Sequence, residues 1–122
     1  MTTKQHAEMM ERIERHGKQL LAIFPQAKEQ DPVKLCKRLR RLELEAEQMA
    51  VAYCNGEIET DKWEAISGKM ASIVNDLLGT SRVWVNGDPR GYALKIDLAG
   101  GEVLHRDMGG YGIIAPDLTL HD

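Results

Sequence analysis

The sequence contains few aromatic residues, little cysteine and no long apolar run. Aromatic residues make up 5% of its 122 residues, so the core must be built mostly from aliphatic side chains. The two cysteines, Cys36 and Cys54, form neither a CxxC motif nor a cluster with histidine, and two lone thiols suit a reducing compartment. No segment has the roughly 20 apolar residues of a membrane-spanning helix, and the N-terminus lacks the apolar run of a secretory signal. We therefore expect a cytoplasmic protein that does not contact a membrane.

A strong net charge and a catalytic motif are also lacking. The 16 basic and 19 acidic residues give a net charge of −3, which provides no global attraction to nucleic acid or to an anionic membrane. His105-Arg106-Asp107 matches a protein-kinase triplet, but no glycine-rich nucleotide loop or DFG motif accompanies it. The four histidines are scattered over different predicted elements. We therefore expect no metal, no cofactor and no enzymatic activity.

Three segments in the first 80 residues repeat apolar side chains at spacings of three and four, which predicts amphipathic helices. The second has clear signals at both ends, because Asp31 and Pro32 favour a helix start and Gly56 favours a helix end. The third begins near Thr60, whose hydroxyl is placed to cap the first turn, and ends at Gly79. The predicted apolar rows are Met10, Ile13, Gly17, Leu20 and Phe24; Leu35, Leu39, Leu42, Ala46, Met49 and Tyr53; and Trp63, Ile66, Met70, Ile73 and Leu77.

After residue 80 the apolar period falls toward two, and seven of the eleven glycines lie there. Strands are predicted at 83–85, 92–98 and 102–106, and segment 108–116 is interpreted as an ordered tail, with a fourth strand as the alternative. Together the patterns predict an α+β fold, with an N-terminal three-helix hairpin or bundle followed by a small three-stranded antiparallel sheet. We expect one domain over residues 1–122, helical at 1–80, with the hairpin sheet and glycine-rich tail at 81–122. The apolar rows of the helices pack against each other either within one chain or between the chains of a homo-oligomer.

The segment from Val83 to Ile96 predicts a β-hairpin with a Gly-Asp-Pro-Arg-Gly turn. Turn chemistry explains the aspartate, the proline and the glycines, because each suits a particular turn position. It does not explain Arg90, whose planar guanidinium suits a phosphate, a carboxylate or an acidic partner. Simple exposure of Arg90 at the turn is the alternative. The candidate ligand- or partner-binding residues are Trp84, Asp88, Arg90, Tyr92 and Arg106.

A second candidate site is a basic patch in the first half of the second predicted helix, formed by Lys34, Lys37, Arg38, Arg40 and Arg41. Positive charge near a helix N-terminus opposes the helix dipole, so this arrangement is unfavourable unless acidic groups compensate it. One interpretation is a charge zipper with Glu8, Glu11 and Glu14 of the first helix, or with a second chain. The other is a phosphate-binding patch, which would give salt-sensitive contact with nucleic acid.

From Tyr53-Cys54-Asn55-Gly56 to the hairpin, the sequence resembles small phage and prophage accessory proteins that share a Gly-Asp-Pro-Arg-Gly turn followed by an aromatic residue. The resemblance implies a mobile element in a bacterial host cell, and it implies no particular reaction. Our first hypothesis is a non-enzymatic accessory protein that binds a host or phage macromolecule, foremost a protein, with inhibition of a defence system as one form. Two alternatives are a protein that binds a nucleotide or phosphorylated small ligand through Arg90, Arg106 and Arg38 or Arg41, and one that binds nucleic acid through the basic patch.

Overall fold

The computed structural model describes residues 2–85, 87, 94–98, 101–107, 111–114 and 120–121. Within these residues three helices, α1 (Thr3–Ile23), α2 (Pro32–Cys54) and α3 (Thr60–Leu78), are followed by five short strands. The strands are β1 (Val83–Val85), β2 (Leu94–Leu98), β3 (Gly101–Asp107), β4 (Tyr111–Ile114) and β5 (Leu120–His121). Each strand pairs antiparallel with the next one in the sequence.

The predicted N-terminal helical bundle is confirmed, whereas the predicted three-stranded sheet is not. Two of the predicted strands correspond to β1 and β3, and the described part of the predicted strand at 92–98 is β2. Segment 108–116, predicted as an ordered tail with a fourth strand as the alternative, contains β4, and β5 follows it. Three glycines, at positions 109, 110 and 112, weaken the strand pattern of β4 in the sequence, because glycine is unfavourable inside a strand and typical of turns.

The helix ends follow the local signals in the sequence, with one exception. The Asp31 side chain accepts a hydrogen bond from the amide of Lys34, and Pro32 is the first residue of α2. Gly79 ends α3 with a φ of 69°, and an added Cβ would lie 2.7 Å from the carbonyl oxygen of Gln26, so both backbone conformation and space require glycine. The exception is Thr60, which is the first helical residue and not the cap; Glu59 precedes α3 without a side-chain hydrogen bond.

The apolar rows of the three helices contribute to a shared core, with some members only half-buried. Leu20 of α1, Leu35 and Leu39 of α2, and Val74 and Leu78 of α3 belong to one core cluster. The predicted row of α3 is wrong at one position, because Ile73 is 45% exposed and Val74 is fully buried. A helix advances 3.6 residues per turn, so the core face of α3 shifts by one residue after Met70.

Helices α1 and α2 approach each other closely at Gly17, which is buried. A Cβ atom at this position would overlap the carbonyl group of Pro32 and would lie 2.7 Å from its Cα atom. These are backbone atoms, so they cannot move aside by changing a rotamer. Gly17 therefore sets the distance between the middle of α1 and the start of α2.

Candidate functional site

The first glycine of the predicted hairpin turn, Gly87, lies against the helices at a small aromatic cluster. The rings of Tyr53 and Trp63 are stacked, with centroids 5.2 Å apart and an angle of 7° between their planes. A Cβ atom on Gly87 would lie 3.4 Å from Nε1 of Trp63, so Gly87 lies beside the edge of the indole. The thiol of Cys54 donates a hydrogen bond of 3.3 Å to the carbonyl oxygen of Gly87. We call Tyr53, Cys54, Trp63 and Gly87 the hairpin base.

Sequence reasoning missed the hairpin base as a unit. Trp63 was assigned to the core, which its 8% exposure confirms, and Cys54 was interpreted only as a helical thiol. The predicted resemblance to phage accessory proteins spans the sequence from Tyr53 into the hairpin, and it stays a prediction. Contact between the end of α2 and residue 87 depends on the tertiary fold, which periodicity does not report.

Trp84, one of the candidate partner-binding residues, is 41% exposed in β1. Its neighbour Val83 faces the opposite side of the strand and is buried in the helical core. The sequence left open whether Trp84 belongs to a second buried face or is an exposed anchor, and the structure places it at the surface. An exposed tryptophan on a short, anchored strand is suited to contact with another molecule.

Asn75 of α3 fixes the position of β1. Its side-chain oxygen accepts a hydrogen bond of 2.9 Å from the Val83 amide, and its side-chain nitrogen donates one of 3.3 Å to the Val83 carbonyl. The N–H and C=O of one strand residue point to the same side, so a single amide side chain can bond to both. Asn75 therefore occupies backbone groups that another strand would otherwise use.

We expect Asn75→Ala to lower the free energy of unfolding by about 1–2 kcal/mol, because it leaves both partly buried groups of Val83 without this partner. Urea denaturation of the purified protein measures the loss. Ser72→Ala is the matched control, since Ser72 is an exposed polar residue of the same helix, and its effect should stay within about 0.5 kcal/mol. Equal stability of the two variants would show that the Asn75 bonds contribute nothing.

Of the other predicted residues of the hairpin site, only Arg106 belongs to an element that the structure describes. Asp88, Arg90 and Tyr92 lie outside the described residues. Arg106 lies in β3, opposite Gly112 of β4. The sequence-based interpretation of Arg90 therefore stays a prediction.

The basic patch of α2 is divided by burial. Lys34, Lys37, Arg38 and Arg41 are exposed, whereas Arg40 is half-buried. The predicted charge zipper with Glu8, Glu11 and Glu14 stays a prediction. Glu14 of α1 pairs with Lys18 of its own helix, at 3.2 Å.

A cleft of about 740 Å³ opens where the loop between α1 and α2 meets the end of α3. It contains Lys28 and Arg82, but Lys28 already pairs with Asp76 at 2.6 Å. The C-terminal end of α3 adds partial negative charge, which disfavours a phosphate. Among its described lining residues are none of the arginines that the sequence suggested for a phosphorylated ligand.

The described residues hold no group of three or more His, Cys, Asp or Glu side chains that could bind a metal ion. Among the same residues, no helix combines the length and apolar character needed to cross a bilayer. No protein-family model, curated protein or solved structure matches this sequence.

Proposed function

We propose that this protein is a non-enzymatic binding protein that contacts a partner protein through β1, with Trp84 at the centre of the contact. The observation that carries the proposal is the 41% exposure of Trp84 on a strand whose other face is buried. Tryptophan is enriched among the residues that dominate the binding energy of protein interfaces, because it buries a large rigid surface. The exposed part of the Trp84 side chain is the surface that a partner protein would bury.

The contacts on either side of Trp84 support the proposal, because they hold the strand in place before any partner arrives. Asn75 bonds to Val83 on one side, and Gly87 packs on Trp63 on the other. A contact surface that is ordered in advance loses less conformational entropy on binding. Trp84 is therefore presented by a supported strand, and the tryptophan does not need to be ordered by its partner.

The biological setting of the proposal comes from the sequence alone. The resemblance to phage and prophage accessory proteins suggests a host or phage protein as the partner, within the bacterial cytoplasm, and inhibition of a defence system as one outcome of binding. Self-association as a homo-oligomer is a further prediction from the sequence. These suggestions stay predictions, and the exposure of Trp84 bears on none of them.

The test is affinity purification of the tagged protein from a bacterial host, followed by quantification of each partner that is recovered. We expect Trp84→Ala to reduce the recovery of the specific partner at least tenfold, because it removes the central anchor. Ile73→Ala is the matched control, since Ile73 is another exposed apolar residue at 45% exposure, and it should leave recovery unchanged. Thermal melting of both variants checks that neither change unfolds the protein.

Two results would refute the proposed function. One is recovery of the same partner by wild type and Trp84→Ala, which would place the contact elsewhere. The other is turnover of a nucleotide or nucleic-acid substrate by the purified protein, which would make it an enzyme.

A further inference from the structure

Four exposed basic side chains lie on one side of α2, and we call Lys34, Lys37, Arg38 and Arg41 the α2 basic face. Their spacing of three and four residues places them in one row along the helix. The row extends for about 10 Å, from the rise of 1.5 Å per residue. It ends at Glu45, one turn beyond Arg41, so the positive surface is short and bounded.

Among the described residues, few acidic groups compensate the charge of the α2 basic face. Arg38 reaches Glu29 only at 3.9 Å, and the Arg38 side chain is 58% exposed. In the described part of the chain, Lys34, Lys37 and Arg41 form no ion pair. Like charges one helical turn apart repel each other, and the nearby N-terminus of α2 adds positive potential. An anion bound across the row would relieve both effects.

The surroundings of the α2 basic face favour phosphates over a protein surface. Protein interfaces contain few lysines at their centre and depend on buried apolar anchors. The exposed large apolar residues in the described part of the chain are Val51, Ile73 and Trp84, and none of them belongs to this row. Phosphate groups, in contrast, are bound by lysine and arginine through charge and hydrogen bonds, without a buried apolar anchor.

We propose that the α2 basic face binds the phosphate backbone of nucleic acid without sequence preference. Four basic residues permit at most four phosphate contacts, and the net charge of −3 gives no long-range attraction. The affinity should therefore fall in the range of non-specific binding, with dissociation constants of about 1–100 μM. This surface is separate from Trp84, so its failure would leave the proposed protein contact untouched.

The test is a fluorescence anisotropy titration of the full-length protein against labelled double-stranded DNA at several salt concentrations. For four contacts, the logarithm of the binding constant should fall with the logarithm of salt concentration with a slope of about −3.6. The double variant Lys37→Glu, Arg41→Glu should bind at least tenfold more weakly and should reduce the slope by about two. Trp84→Ala should bind DNA as well as wild type does.

The matched control is Lys62→Glu, Lys69→Glu, which changes the net charge equally at two exposed positions of α3. It should retain most of the binding. Equal loss in the two double variants would show a bulk charge effect and would overturn the proposal. So would the absence of binding at low salt, or tighter binding of a polyglutamate peptide than of DNA, which would assign the face to an acidic protein.

Discussion

Gly17→Ala is expected to lower the free energy of unfolding by about 3 kcal/mol, although alanine is the better helix former. The added methyl group would overlap the carbonyl group of Pro32, and only a shift of α1 against α2 would make room for it. Such a shift would disturb the packing of Leu20 and Leu35, which are both buried in the shared core. The cost of overpacking should therefore exceed the gain of about 1 kcal/mol from helix propensity.

Gly68→Ala is the control for Gly17→Ala, because Gly68 lies inside α3 and, apart from its neighbours and the backbone of its own helix, no atom lies within 4 Å of an added Cβ. The same change there should raise the free energy of unfolding by up to about 1 kcal/mol. Urea denaturation of the two variants separates helix propensity from helix packing. A Gly17→Ala protein as stable as wild type would contradict the close contact between α1 and α2.

Trp63→Ala is expected to cost about 3–5 kcal/mol, the range for removal of a large buried aromatic side chain. The indole is 8% exposed, stacks on Tyr53 and supports the backbone of Gly87, so its loss leaves a cavity between three parts of the chain. A domain of this size has a stability of about 5–15 kcal/mol, so the variant should melt at a much lower temperature.

The matched change is Trp84→Ala, which removes the same side chain from an exposed position. Its thermal shift should be clearly smaller than that of Trp63→Ala, because less of the Trp84 side chain is buried. Trp63→Phe tests the packing further, since phenylalanine retains an aromatic ring for stacking on Tyr53 and fills most of the cavity. Similar melting temperatures for the two alanine variants would contradict the different burial of the two indoles.

The helix boundaries could be predicted because they depend on local chemistry. Asp31, Pro32 and Gly79 act within one turn of their own positions, so their effect can be read without the rest of the fold. Thr60 shows the limit of such reasoning, because Glu59 precedes it and Thr60 itself starts the helix. The helical bundle was predicted from the spacing of apolar residues. The same spacing was wrong at Ile73, which is exposed, because the buried residue at that turn is Val74.

The candidate site could be predicted only in part, because its geometry depends on distant residues. Strand alternation predicts that Trp84 and Val83 point to opposite faces of β1. Only the packing of the helices decides which of these two faces is buried. The Asn75 bonds to Val83 join α3 to β1 and have no signature in either segment. The half-burial of Arg40, which separates it from the exposed residues of the α2 basic face, also depends on the packing of the fold.

The different burial of Trp63 and Trp84 also gives the chain two optical reporters in distinct environments. An indole in an apolar interior emits at shorter wavelength than one in water, so the two signals are separable. A partner that covers β1 should shift the emission of Trp84 and leave that of Trp63 unchanged, whereas unfolding should move both. Complex formation can therefore be followed on the unlabelled protein.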